Sequence, residues 1–289
     1  MSGTPGRRRK FDEADSIEGL AAPSPARRKG ARRRRRGPSR AGSRGRLLPI
    51  LLGALGVAVV ALVVVLVVQF TAGGATAPEN PVPTAYEVHD SGNEVLATRE
   101  ADSRPLNKGE LFGEDSKRID SESQGITFEL QTSSLTDDCA SAVWGERVSA
   151  ALADAGCTQA ARAGYTSDGY VGAVAMFNLR DQKAANAVAT ALQPPKDAAA
   201  EPAGFIEVPA AEEDPFSSLG AGFSAAEATV SGHYLTVAWV QSIESDDPAE
   251  RESLVSPLIT LNNFRDPLYH RVVQLENLQE AQQGTVPTA

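Results

Sequence analysis

The sequence predicts an α+β domain, an antiparallel sheet with helices packed on one face, preceded by one transmembrane helix and a disordered N-terminal tail. Three observations predict this. Residues 47–70 form a run of 24 positions without a charge. Charge is distributed very unevenly on its two sides. After residue 105, segments of strand period alternate with segments of helix period.

Of the chain's 28 basic and 37 acidic residues, fifteen basic and four acidic lie in residues 1–46, a net of +11. The rest holds thirteen basic and thirty-three acidic residues, a net of −20. Such asymmetry points to two compartments or two kinds of partner. Residues 1–46 are rich in Arg, Gly, Pro and Ser and poor in apolar residues, too poor to offset chain entropy by burial, so they read as a disordered tail. Within them the acidic stretch 11–20, with spaced Phe11, Ile17 and Leu20, is either a solvated patch or a short docking motif.

As a helix, residues 47–70 would extend roughly 36 Å, enough to cross a hydrocarbon core of about 30 Å. Pro49 falls in the first turn, where a missing N–H costs little. Only Arg99 and Arg104 are basic within the next 35 residues, so the positive-inside rule keeps the N-terminus cytoplasmic and places the C-terminal part outside the membrane. A cleaved signal peptide is the rival reading, because Ala75-Thr76-Ala77 has the small-x-small pattern. The apolar run is too long for a signal core, and Pro78 would follow the cut, which favours an uncleaved span. Ala54 and Ala58 supply a small-x-x-x-small pair that would suit helix dimerisation.

Residues 71–104 read as an extracytoplasmic linker. Pro78, Pro81 and Pro83 make its first part extended and semi-stiff, with weak strand character near Tyr86. The folded domain is expected at 105–275 and a polar tail at 276–289. Residues 126–130 alternate like a half-buried strand, and 137–155 have helical apolar spacing. Residues 158–165 and 170–179 read as a hairpin around Ser167-Asp168-Gly169, with Val171, Ala173, Ala175 and Phe177 on one face. Asp181 opens a helix to about 192, ended by Pro194-Pro195. Phe205-Ile206 suggests a short strand. A second hairpin, 225–230 with 233–243, turns at Ser231-Gly232 and sets Leu235, Val237 and Trp239 on one face. Asp247-Pro248 and Asp266-Pro267 both look like helix starts. The order of elements has a ferredoxin-like tendency.

Chemistry-bearing patterns are sparse. His89, His233 and His270 have no Cys, Asp or Glu at metal-ligand spacing and read as surface or half-buried residues. No nucleophile elbow, Walker loop or zinc-protease motif occurs. Gly220-Ala-Gly222 reads as a turn, and Asp137-Asp138 and Asp246-Asp247 as helix caps. No catalytic, cofactor-binding or metal-ligating residue is therefore assigned, and the chain is read as not an enzyme. The arginine-rich tail suits contact with anionic lipid headgroups beside the inner leaflet. A nucleic-acid role is disfavoured, since only Phe11 interleaves an aromatic with the arginines.

Cys139 and Cys157 are the only cysteines, and both fall in the part expected outside the membrane, where a disulfide is favoured. That conflicts with an unbroken helix, which would hold them roughly 27 Å apart, against a limit of about 7 Å between bonded Cα atoms. Either two unpaired cysteines lie on a continuous helix, or the bond forms and the chain reverses near Gly145, with a shorter helix starting near Glu146.

The stretch Asp138-Cys-Ala-Ser-Ala-Val-Trp-Gly145, then Ala155-Gly-Cys157, Tyr165 and Phe177-Asn-Leu179, with Gly232-His-Tyr234 and Trp239, resembles a pattern in actinobacterial single-pass membrane proteins. These share an arginine-rich N-terminal tail, one span and an extracytoplasmic α+β domain. The resemblance covers roughly residues 105–270. It implies topology and fold and carries no catalytic residue. The expected function is a membrane-anchored extracytoplasmic binding or sensing module for an unidentified ligand or envelope protein. A structural or scaffolding role in the cell envelope is the alternative, and an enzyme using only acids and hydroxyls comes third.

Overall fold

Residues 171–177, Val-Gly-Ala-Val-Ala-Met-Phe, carry no polar side chain, so a strand built from them must be covered on both faces. The computed structural model, which describes residues 78–197, 200–211 and 215–284 together with Leu55 and Val59, meets that requirement. Strands β1 (Ala85–Asp90), β2 (Arg118–Ser121), β3 (Ile126–Thr136), β5 (Gln159–Thr166), β6 (Tyr170–Asn178), β8 (Ser224–Ser231) and β9 (Tyr234–Ser242) form one seven-stranded sheet, ordered β1-β8-β9-β6-β5-β3-β2. All its pairings are antiparallel except the edge pair β1–β8. Strands β4 (Val143–Trp144) and β7 (Phe205–Ile206) pair separately.

Helices lie on both faces of the sheet, not on one as expected. Val171, Ala173, Ala175 and Phe177 share one core with Leu235, Val237 and Trp239. Helices α3 (Glu146–Asp154) and α4 (Gln182–Ala191) cover it with Val148, Leu152, Val188 and Ala189. The opposite parity, Val174 and Met176 with Tyr234, Ala238 and Val240, faces a second core. There α5 (Val255–Leu261) and α6 (Asp266–Gly284) supply Leu261, Leu268 and Val272. The short helices α1 (Lys108–Leu111) and α2 (Glu114–Lys117) close one end of that layer, with Leu111 fully buried. The class is α+β, with a mostly antiparallel sheet between two helical layers.

Several local expectations hold. The hairpins β5–β6 and β8–β9 form where predicted, and so does the short strand Phe205–Ile206. The Asp181 side chain accepts from the Ala184 N–H and starts α4. A helix does start at Asp266-Pro267, after a 3₁₀ turn, Asn262–Arg265. Other expectations fail. Asp247 caps only a turn, accepting from the Ala249 N–H, and the helix begins at Val255. Pairing of β1 with β8, and the burial of Leu96 and Asp102, bring residues 85–104 into the fold, so it starts well before 105. At the other end α6 runs to Gly284, past the expected boundary at 276.

All of the above concerns residues 78–284. Among the described residues no helix is long and apolar enough to cross a membrane. The expected span, 47–70, lies outside the described residues save for Leu55 and Val59, as do the tail 1–46 and the acidic stretch 11–20.

The β8–β9 turn is pinned from outside. Gly232 has φ +60°, and a Cβ there would run into the Leu96 carbonyl. That carbonyl accepts both the His233 backbone N–H and its Nδ1–H, each at 2.7 Å. Gly232→Ala is therefore expected to cost about 2 kcal/mol, from the left-handed backbone and the displaced Leu96 together. Urea unfolding of wild type and variant measures it. A cost of a few tenths would show that the turn moves freely.

Candidate functional site

The structure decides between the two readings of the cysteine segment. Cys139 and Cys157 are bonded, with Cα atoms 6.3 Å apart. The chain reverses at Gly145, φ +92°, and α3 begins at Glu146. Cys139 opens a 3₁₀ turn, Cys139–Ala142, whose N-cap Asp138 accepts from the Ala140 N–H. The turn leads into β4 and Trp144. The staple thus fixes the segment that presents Trp144. A Cβ on Gly145 would strike the Ala203 carbonyl, and one on Gly204 the Trp144 carbonyl, so two glycines let β4 and β7 approach this closely.

Trp144 and Trp239 line one groove of about 570 Å³. Its apolar wall comes from Ile206, Val208, Phe216 and Leu219. Trp239 is buried in the sheet, edge-on to Phe205 with ring centroids 5.2 Å apart. The turn at 218–220 is held by buried Gln241, whose Oε1 accepts the Gly220 N–H at 2.7 Å and whose amide donates to the Ser218 carbonyl at 2.9 Å. Gly220-Ala-Gly222 is accordingly a turn, with Gly220 at φ +94°. Beneath the groove, Arg162 is buried and donates to the Glu207 carbonyl at 3.3 Å. Burial lowers the Arg162 pKa, and the Glu207 carboxylate works against that.

Across the groove runs the chain's own segment 78–84. The Trp144 indole N–H donates to the Pro81 carbonyl at 3.2 Å. The Thr84 N–H donates to the Ser224 carbonyl, and the Ser224 N–H to Thr84 Oγ1. In sequence this segment has the composition of a spacer. Its three prolines marked an extended conformation but not a surface to lie on.

A second polar constellation sits in the other core. Arg271 of α6, 2% exposed, donates to Asp102 at 2.9 Å and through two nitrogens to the Glu110 carboxylate. It also reaches the Tyr234 hydroxyl at 2.7 Å and the Arg104 and Pro105 carbonyls at 2.9 Å. Tyr234 in turn donates to Asp102. Burial pushes the Asp102 pKa up, but hydrogen bonds from Arg271 and Arg104 outweigh it and leave the group below its usual range. Every guanidinium nitrogen of Arg271 is occupied, so the constellation acts as a clasp. No local pattern announces it, since its members lie up to 169 positions apart.

The three histidines are placed separately. His89 lies exposed on β1, with Glu87 and Glu227 within 4 Å. His233 is fully buried, more than expected, and its Nε2 has no partner. His270 lines a cleft of about 420 Å³ with Glu110, Asp115, Arg118, Asp120 and Asp266. Burial raises the Asp266 pKa there, against the opposing effect of His270 and Arg265. Among the described residues no group of three or more His, Cys, Asp or Glu is placed to hold a metal ion.

Comparison of the chain with family models, with curated proteins and with solved structures found no match.

Proposed function

We propose that this chain is a membrane-anchored extracytoplasmic binding or sensing module, and that its ligand seats in the groove between Trp144 and Trp239. One observation carries the reading: both tryptophans of the sequence line the same apolar concavity. Aromatic lining with a few fixed polar groups is the usual character of a ligand site. The groove also lies beside the segment that leads back to the expected span at 47–70. In this reading the N-terminus is cytoplasmic, and the arginine-rich tail contacts anionic headgroups. The α+β domain that carries the groove has helices on both faces of its sheet.

A scaffolding role in the envelope is the alternative, and a specific patch favours it. On α5, Val255 is 61% and Ile259 46% exposed, beside a cleft lined by Phe223 and Leu254. An exposed apolar patch of this kind marks an association surface.

Site-specific photo-crosslinking in native membranes separates the two. A crosslinker at Val208 is expected to capture a discrete species, and Trp144→Ala should abolish that capture. Capture from Ile259 alone, with Val208 silent, would favour the scaffold. Topology is tested alongside. In intact cells, added protease is expected to digest the region after residue 75 and spare a tag at Met1. A mature N-terminus near Pro78 would overturn the anchored reading.

A further inference from the structure

We infer that the Trp144–Trp239 groove takes an extended, proline-bearing peptide, and that the chain's own segment 78–83 is its resident competitor. The inference rests on the binding reading above and names the ligand class.

Segment 78–83 reads Pro-Glu-Asn-Pro-Val-Pro. Three prolines fix φ near the polyproline II value, so little chain entropy remains to be lost on docking. The seat of Pro81 is specific. Gly220 leaves room for the ring, since a Cβ there would lie 2.6 Å from Pro81 Cβ and 3.2 Å from the edge of the Trp239 ring. On the other side the Trp144 N–H meets the Pro81 carbonyl. Grooves lined by aromatic side chains are how polyproline II segments are recognised, and here Trp144 and Trp239 both line the groove that holds Pro81. Proline has no N–H of its own, so nothing in the backbone goes unsatisfied when it lies on an apolar wall. The groove does not end at Pro81. It continues along Glu207, Val208 and Ala211, which line the same groove and keep exposed surface. A longer peptide of the same chemistry would make the Pro81 contacts and add these.

Because segment 78–83 is covalently attached, it competes at an effective concentration of about millimolar. A free peptide must therefore bind the wild-type chain weakly, and more tightly once the resident segment is impaired.

The two tryptophans supply an intrinsic probe, as no other tryptophan occurs in the chain. The experiment titrates the full chain, purified in detergent with its disulfide intact, with a synthetic peptide of residues 76–84. A second peptide has its prolines replaced by alanine. Tryptophan fluorescence is the readout. The proline peptide is expected to saturate the change, to bind Pro81→Ala chain at least tenfold more tightly than wild type, and to bind at least tenfold more tightly than the alanine peptide. Trp144→Phe, which keeps an aromatic ring and loses the indole N–H, should weaken binding at least fivefold, the equivalent of one hydrogen bond. Equal response to the two peptides overturns the inference. So does the absence of any response in Pro81→Ala chain that unfolds cooperatively. Neither result touches the binding reading itself, which stands or falls on capture from Val208.

Discussion

Replacing Arg271 by methionine is expected to destabilise the fold by about 3–5 kcal/mol, because the change strands the buried Asp102 carboxylate without its partner. Asp102 is 2% exposed and keeps only Arg104 and the Tyr234 hydroxyl once the guanidinium is gone. Arg271→Lys should not rescue. A lysine carries a point charge with three donors, whereas the arginine serves two carboxylates, a hydroxyl and two carbonyls from one plane. Adding Asp102→Asn to Arg271→Met should recover part of the loss, since the stranded charge is then removed. Urea midpoints of the four proteins at pH 7 measure all of this. A loss below 1 kcal/mol for Arg271→Met would mean that the clasp contributes little.

The same region sets a dependence on pH. Asp102 titrates below its ordinary value, so its contribution is present above about pH 4 and is lost as pH falls through the folded-state value. His233 adds to this with the same sign. Burial lowers its pKa, against the backbone bond to Leu96 and the Asp102 charge, while Arg99 and Arg271 lower it further. The folded state therefore resists protonating His233, and stability declines as pH drops below about 6.5. Acid loss should begin near that value, with a second decline below pH 4. A His233→Gln variant that kept the upper decline would refute the assignment to His233.

Much of the fold was legible, and what was not has physical causes. Alternation at Val171, Ala173, Ala175 and Phe177 identified β6 and its inner face. The intervening Val174 and Met176 were equally apolar, and a continuous run of this kind marks a strand covered on both sides. Read for one parity only, it yields a single helical layer. Strand β1 escaped for the opposite reason. Its Glu87, His89 and Asp90 are exposed at a sheet edge, so the segment resembles a polar linker, and its membership depends on pairing with β8, 140 positions away. Asp247-Pro248 shows a signal overridden: the turn forms, but no helix begins until Leu254 reaches the core. Of the candidate groove, Trp144 and Trp239 stood out as residues but not as a pair. They come together through β4–β7, a two-residue pairing that exists because the chain reverses at Gly145.

That reversal is what the disulfide secures, and its removal should have the other large effect. Cys139→Ala with Cys157→Ala is expected to cost about 3 kcal/mol, the loop-closure entropy for a separation of 18 residues. For a unit of this size that corresponds to a fall in Tm of roughly 6–12 °C. Alanine at both sites avoids stranding a hydroxyl at Cys139, which is buried. The loss has a local part as well. Without the staple, the 3₁₀ turn and β4 are held to the body by Ala142, Val143 and the pairing with Phe205–Ile206. Trp144 should then be the first tryptophan to reach solvent, with its emission shifting red while Trp239, fully inside the sheet, is unchanged. Two observations separate the local from the global effect. Non-reducing peptide mapping of wild type should recover a single peptide pair joined through Cys139 and Cys157. In the double variant, acrylamide should quench Trp144 well below the melting temperature. If Tm and quenching were both unmoved by the double substitution, the reversal at Gly145 would be held by its glycine and its packing alone, and the bond would be incidental to the placement of Trp144.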